Sequence, residues 1–117
     1  MKNVFISQRM KNISNDEIEL NRKLLMELAK REIPDDLHFI ESFDPKAEDE
    51  YNAAQTQIEK DRARIRALGR AIQTFADVDV VVFEYDGVWD DSFGCRVEKM
   101  LVDKYKIESI IAEHYNV

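Results

Sequence analysis

The sequence predicts an α/β fold, a three-layer sandwich on a short parallel sheet, and three observations carry that expectation. Short apolar runs at Val4-Phe5-Ile6, Leu37-His38-Phe39-Ile40, Val80-Val81-Val82-Phe83 and Ile107 to Ala112 have strand length. Between them lie longer stretches whose apolar residues recur at helical spacing. Strands alternating with helices imply parallel strands joined by right-handed crossovers, with helices on both faces. The order reads β-α-β-α-β-α-β, wound like flavodoxin or a Rossmann sheet, with a strand order of 2-1-3-4.

Each element has a local reason. Val4-Phe5-Ile6 is a buried strand that turns polar at Ser7-Gln8-Arg9-Met10. Ser14-Asn15-Asp16-Glu17 has capping-box spacing and opens a helix whose inward face is Ile18, Leu24, Leu25, Leu28 and Ala29. Pro34 stops it. After the second strand, the acidic stretch Glu41 to Tyr51 contains Pro45 and reads as a loop. A long amphipathic helix is expected over 52–76, with Ile58, Ile65, Leu68, Ile72 and Phe75 inward. Residues 79–84 form the clearest strand, apolar through its middle and therefore covered on both faces. A polar loop from Tyr85 to Ser92 leads to a helix over 93–105 with Val97, Met100, Leu101 and Tyr105 inward. The last strand and a short tail, His114 to Val117, complete the chain.

The chain of 117 residues has the size of one domain, with no repeat, low-complexity tract or linker, so a single domain over 1–117 is expected. Hydrophobic residues are 44 % and charged residues 35 %, a soluble composition, and the net charge is −7. That charge argues against a nucleic-acid polymer, whose phosphates call for a basic field, and against an anionic membrane surface. No apolar run approaches the roughly 20 residues that span a bilayer. The amino-terminal run is too short for a signal peptide, so a cytoplasmic home is expected. Cys95 is the single cysteine, which excludes an internal disulfide. No metal site, cofactor motif or Ser-His-Asp relay can be assembled; Gly87 lacks the companions of a phosphate loop.

Open parallel sheets bind ligands at the carboxyl ends of their strands, beside the point where strand order reverses. The loops after the first and third strands meet there. The second holds Asp86, Trp89, Asp90, Asp91, Ser92, Arg96 and Glu98 within a short length of chain. Glu98, about a turn into its helix, is expected to be held ionised by the helix dipole and to act as nucleophile or base. Asp90 or Asp91 supplies the second acid group. Trp89 either caps the core or stacks on a flat ligand. Arg9 and Arg96 approach the cleft with guanidinium forks suited to phosphate or carboxylate, or Arg96 clamps Asp90 or Asp91. Ser7 has no base placed to activate it; with the Gln8 amide it holds a ribose hydroxyl or phosphate. Cys95 reads as a packed residue, and His38 and His114 as surface or strand-edge residues. The arginines at 62, 64, 66 and 70 read as a solvated face pairing with Glu59 and Asp61.

Val4-Phe5-Ile6-Ser7-Gln8-Arg9-Met10, Ala67-Leu68-Gly69-Arg70-Ala71-Ile72, Asp79-Val80-Val81-Val82-Phe83 and Gly87-Val88-Trp89-Asp90-Asp91-Ser92-Phe93-Gly94-Cys95-Arg96-Val97-Glu98 together resemble the nucleoside 2-deoxyribosyltransferase superfamily, in its small phage and bacterial branch. The resemblance covers nearly the whole chain. It implies that Glu98 is the nucleophile that attacks the anomeric carbon of a deoxyriboside, after Gly94. It implies further that Asp91 or Asp90 handles the departing base, and that sites are shared in a homo-oligomer, a dimer or higher, with Asn116 a weak counterpart of the carboxyl-terminal contribution. Gly94-Cys95-Arg96-Val97-Glu98 departs from the family's Gly-Thr-Ala-x-Glu by placing a cation before the Glu. The expected function is deoxyribosyl transfer or hydrolysis on a small nucleoside or nucleotide, with Ser7, Gln8, Arg9, Trp89, Gly94 and Arg96 around the substrate. The alternative is a nucleotide-binding module without catalysis, a phage-encoded sensor or sequestering protein.

Overall fold

The computed structural model describes residues 1–9, 13–40, 45–84 and 92–112. Among them are four strands, β1 (Lys2–Ser7), β2 (Leu37–Ile40), β3 (Val80–Glu84) and β4 (Glu108–Ala112). Four helices accompany them, α1 (Asn15–Glu32), α2 (Pro45–Ala53), α3 (Gln57–Thr74) and α4 (Phe93–Tyr105), with a 3-10 turn at Phe75–Asp77. The chain forms two compact units, one of residues 1–40 and 78–117 and the other of residues 41–77.

The first unit is built on a four-stranded sheet in the order β2-β1-β3-β4, parallel throughout. Val4 pairs with Phe39 on one side and Val80 on the other, and Val80 with Glu108 beyond. The composition of each strand explains its place. All five residues of β3 are buried and it lies inside the sheet, whereas β2 and β4 alternate with more exposed residues and form the edges. One sheet face presents Val4, Ile6, Val80, Val82 and Ala112, which pack against Leu25, Ala29 and Ile33 at the inward side of α1 and its cap. By strand alternation the other face presents Phe5, Ser7, Val81 and Phe83. There α4 lies against the sheet, tied by a bond between Ser7 and Glu98. The unit therefore has three layers, α1, sheet and α4.

The helix ends follow their capping chemistry. Ser14 Oγ accepts from the Glu17 amide at 3.2 Å, and Lys30 and Arg31 sit in the last turn of α1, where the dipole favours cations. Ile33 then accepts the role of C-cap immediately before Pro34. On α4 the Ser92 hydroxyl accepts from the Cys95 amide at 3.3 Å, and the helix closes on Lys106 in the left-handed region, φ 55° and ψ 43°.

The inward side of α4 differs from the expected one. Cys95, Glu98 and Val102 are its buried residues, while Met100 and Tyr105 are each 68 % exposed. Apolar periodicity points a helix by its largest hydrophobic residues, but here a carboxylate occupies the inside and turns the helix to suit it.

The second unit corrects two expectations. The region read as a loop contains α2, which begins at Pro45: proline is at home in the first helical position, where its missing N–H is not needed. The single long helix over 52–76 is instead the end of α2, a break, and α3. The break is set by Thr56, whose Oγ1 accepts from the Glu59 amide at 3.1 Å, while Glu59 Oε2 accepts from the Gln55 amide at 2.9 Å. Ile58, Ile65 and Ile72 are exposed, and Ala63 and Phe75 are buried. Arg64, Arg66 and Arg70 of α3 reach across to α2. Arg66 Nε meets Glu50 Oε2 at 2.8 Å, and Arg64 donates to the Tyr51 hydroxyl at 2.9 Å with its guanidinium over that ring. No helix among the described residues is long and apolar enough to cross a membrane.

Candidate active site at the carboxyl end of the sheet

Polar side chains are buried at one place. Among the described residues the buried polar or charged ones are Ser7 (1 % exposed), Gln8 (6 %), Glu84 (8 %) and Glu98 (9 %). Ser7 ends β1, Gln8 follows it, Glu84 ends β3, and Glu98 is carried by α4. The two central strands finish side by side, Ser7 in register with Phe83, so their last residues form one rim. Burying such groups costs free energy unless they are satisfied, so their concentration at the rim makes it the candidate site.

The centre of the site is a contact between residues 91 apart in sequence: Ser7 Oγ donates to Glu98 Oε1 at 2.9 Å. The extended end of β1 aims Ser7 at α4, and the Ser92 cap fixes where α4 begins. Cys95, one turn before Glu98, is buried beside the same serine. Burial pushes the Cys95 thiol above its ordinary range, hydrogen bonds with Ser7 and Ser92 oppose the rise, and the charges of Glu98 and Glu84 add to it. A thiol so placed is a packed neutral group rather than a nucleophile.

Burial raises the Glu98 carboxyl to about 7, against a smaller lowering by the Ser7 bond. This overturns the expectation of a carboxylate held ionised by the helix. Counting from Phe93, Glu98 is the sixth helical residue, beyond the first turn in which the dipole acts, and desolvation prevails. The group is poised between acid and base near neutral pH, as general catalysts and pH-gated nucleophiles are. Ser7, expected to have no base beside it, has the Glu98 carboxyl at 2.9 Å. Glu98 is that base in geometry, and sequence separation concealed it.

The remaining expected residues distribute as follows. Gln8 reaches α1, where its Nε2 donates to the Ile18 carbonyl at 3.1 Å. Arg9 is half-buried beside it. Gly94 lies in the first turn of α4 with open space where a Cβ would stand. Arg96 is on the exposed side of α4, its guanidinium 5.6 Å from the centre of the Phe93 ring, and is not brought to Ser7 and Glu98. His38 is exposed on β2. Met10, Asp86, Gly87, Trp89, Asp90, Asp91, His114 and Asn116 lie outside the described residues. Glu84 is absent from the expected set, since the last residue of an apolar run reads as the strand's exit; its burial, with its charge acting on Cys95, is a tertiary fact. Among the described residues no group of three or more His, Cys, Asp or Glu is placed to hold a metal ion.

The arrangement can hold a ligand's hydroxyl or amide groups, deliver a carboxylate to an electrophilic carbon, and exchange a proton between Ser7 and Glu98. Compared with family models, curated proteins and solved structures, the chain matches none.

Proposed function

We propose that the protein cleaves the N-glycosidic bond of a nucleoside or nucleotide, with Glu98 as nucleophile. The observation that carries this reading is the buried Glu98 carboxyl at the carboxyl end of β1 and β3, held at 2.9 Å by Ser7. The resemblance of residues 87–98 to the deoxyribosyltransferase motif supports it from the sequence side. In the proposed reaction an ionised Glu98 oxygen bonds to C1′ as the C1′–N bond breaks. The electron pair leaves with the base, which takes a proton from Asp90 or Asp91. Water or a second base then attacks C1′ and gives its proton to the aspartate that lost one, and Glu98 departs as carboxylate. Ser7 is the positioning residue: its bond keeps one carboxylate oxygen occupied and leaves the other for attack. Arg9 and Gly94 border the sugar, and Trp89 stacks on the base.

The test is incubation with deoxyribonucleosides and their 5′-monophosphates, with and without an acceptor base, read by chromatography. Release or exchange of a base that disappears in Glu98→Gln is the expected outcome, and exchange against release separates transfer from hydrolysis. A second reading, a nucleotide-binding module without catalysis, is favoured by the same carboxyl standing near 7, which leaves about half of it in the neutral form that cannot attack. Ligand-induced stabilisation without turnover in either form would establish that reading instead.

A further inference from the structure

The Gln8 side chain is fixed at one end and unsatisfied at the other. Its Nε2 donates to the Ile18 carbonyl at 3.1 Å. A carbonyl oxygen only accepts, so the amide nitrogen must face it, and a flipped amide would set oxygen against oxygen. Ile18 is in the first turn of α1, its own amide bonded to the Ser14 carbonyl at 3.0 Å, so this anchor belongs to a capped helix. The orientation of Gln8 Oε1 is therefore determined. That oxygen is buried, and among the described residues it has no hydrogen-bond partner. A buried acceptor left unmet costs about 1–3 kcal/mol, and native proteins keep few of them. This one stands directly after Ser7, the residue that holds Glu98.

We infer that Gln8 determines specificity by requiring a hydrogen-bond donor, an N–H or O–H of the ligand, at its Oε1. The inference rests on the glycosidic reading for the identity of the ligand and deepens it. The donor is an exocyclic amine of the base or a hydroxyl of the sugar. A ligand with a carbonyl, or with nothing, at that point leaves the acceptor unmet or opposes two acceptors, and is discriminated against.

The experiment measures Kd on the full chain by calorimetry for matched pairs. Deoxycytidine against deoxyuridine, and deoxyadenosine against deoxyinosine, exchange an amine for a carbonyl. Each deoxynucleoside against its 2′,3′-dideoxy form removes a hydroxyl. One kind of pair is expected to differ at least about fivefold in the wild type, and that kind names the source of the donor. In Gln8→Met, similar in shape but without an acceptor, the gap should collapse to within about twofold, and the same collapse is expected in Gln8→Leu. Should Gln8→Met fail to fold, a gap that folded Gln8→Leu leaves intact overturns the inference by itself. Binding and Glu98-dependent turnover with no gap, or with a gap that Gln8→Met leaves intact, overturns the inference alone. Absence of any binding or turnover across the panel overturns the glycosidic reading and this inference with it.

Discussion

The Glu98 carboxyl is buried where the strands end, and under the glycosidic reading the burial that costs stability also sets its reactivity. Its ordinary value is 4.5, and burial brings it to about 7. Because the folded value lies above the unfolded one, the folded state binds the proton more tightly. The associated stability is fully present below about 4.5 and is lost as pH rises through about 7. The interval corresponds to on the order of 3 kcal/mol. Glu98→Gln removes this dependence, so it should be more stable than the wild type at pH 8 by up to that amount and close to it at pH 5. Urea denaturation at the two pH values checks both halves. Under the glycosidic reading only the ionised form attacks, so wild-type turnover should climb between pH 6 and 8 while the fold loosens. Ser7→Ala tests the coupling. Its bond holds the Glu98 carboxyl down, so the variant's carboxyl should titrate above the wild type's in a carbon-13 NMR titration, and the turnover profile should move to higher pH.

At the scale of elements, α4 carries the buried Glu98 and depends on its two ends. Ser92→Ala should destabilise by about 1 kcal/mol through loss of the cap on the Cys95 amide. Lys106 pays the steric penalty of a left-handed residue without glycine's freedom, and Lys106→Gly should raise stability by about 0.5–1 kcal/mol, read as a higher urea midpoint. What was legible in the sequence follows the same division between local and distant causes. The bounds of α4, the core of β3 and the Ser14 cap were readable because capping and apolar runs are local signals. The start of α2 was not, because Pro45 breaks a helix from within and starts one from the front, and composition does not say which. The Thr56 cap lies inside an amphipathic pattern that runs on without interruption and hides it. Periodicity places Met100 and Tyr105 inward, whereas the structure exposes both and buries Glu98, a polar residue that an apolar rule does not count.

At the scale of the molecule, a parallel sheet gives its two ends different work. All four strands run the same way, so Ser7 and Glu84 gather at one rim with Glu98. The other rim holds the strand starts, where exposed Lys2 lies 3.3 Å from Glu108 and 3.4 Å from Asp35, and Asp79 Oδ2 accepts from the Asn3 amide at 2.8 Å. Exposed ion pairs contribute little, since water and salt screen them. Between the rims lies the layer of Val4, Ile6, Leu25, Ala29, Val80 and Val82 that supplies stability. Under the glycosidic reading, three substitutions should therefore separate three roles. Lys2→Met, at the rim without buried polar groups, should leave turnover unchanged and move the urea midpoint little. Leu25→Ala, inside the layer, should cost about 2–5 kcal/mol, a large share of the 5–15 or so that a domain possesses, while turnover per folded molecule stays at the wild-type level. Glu98→Gln should abolish turnover and, at pH 8, strengthen the fold. If instead Leu25→Ala reduced turnover of the folded fraction as Glu98→Gln does, the core layer and the rim would be one coupled unit, and placing function at the carboxyl end alone would be wrong.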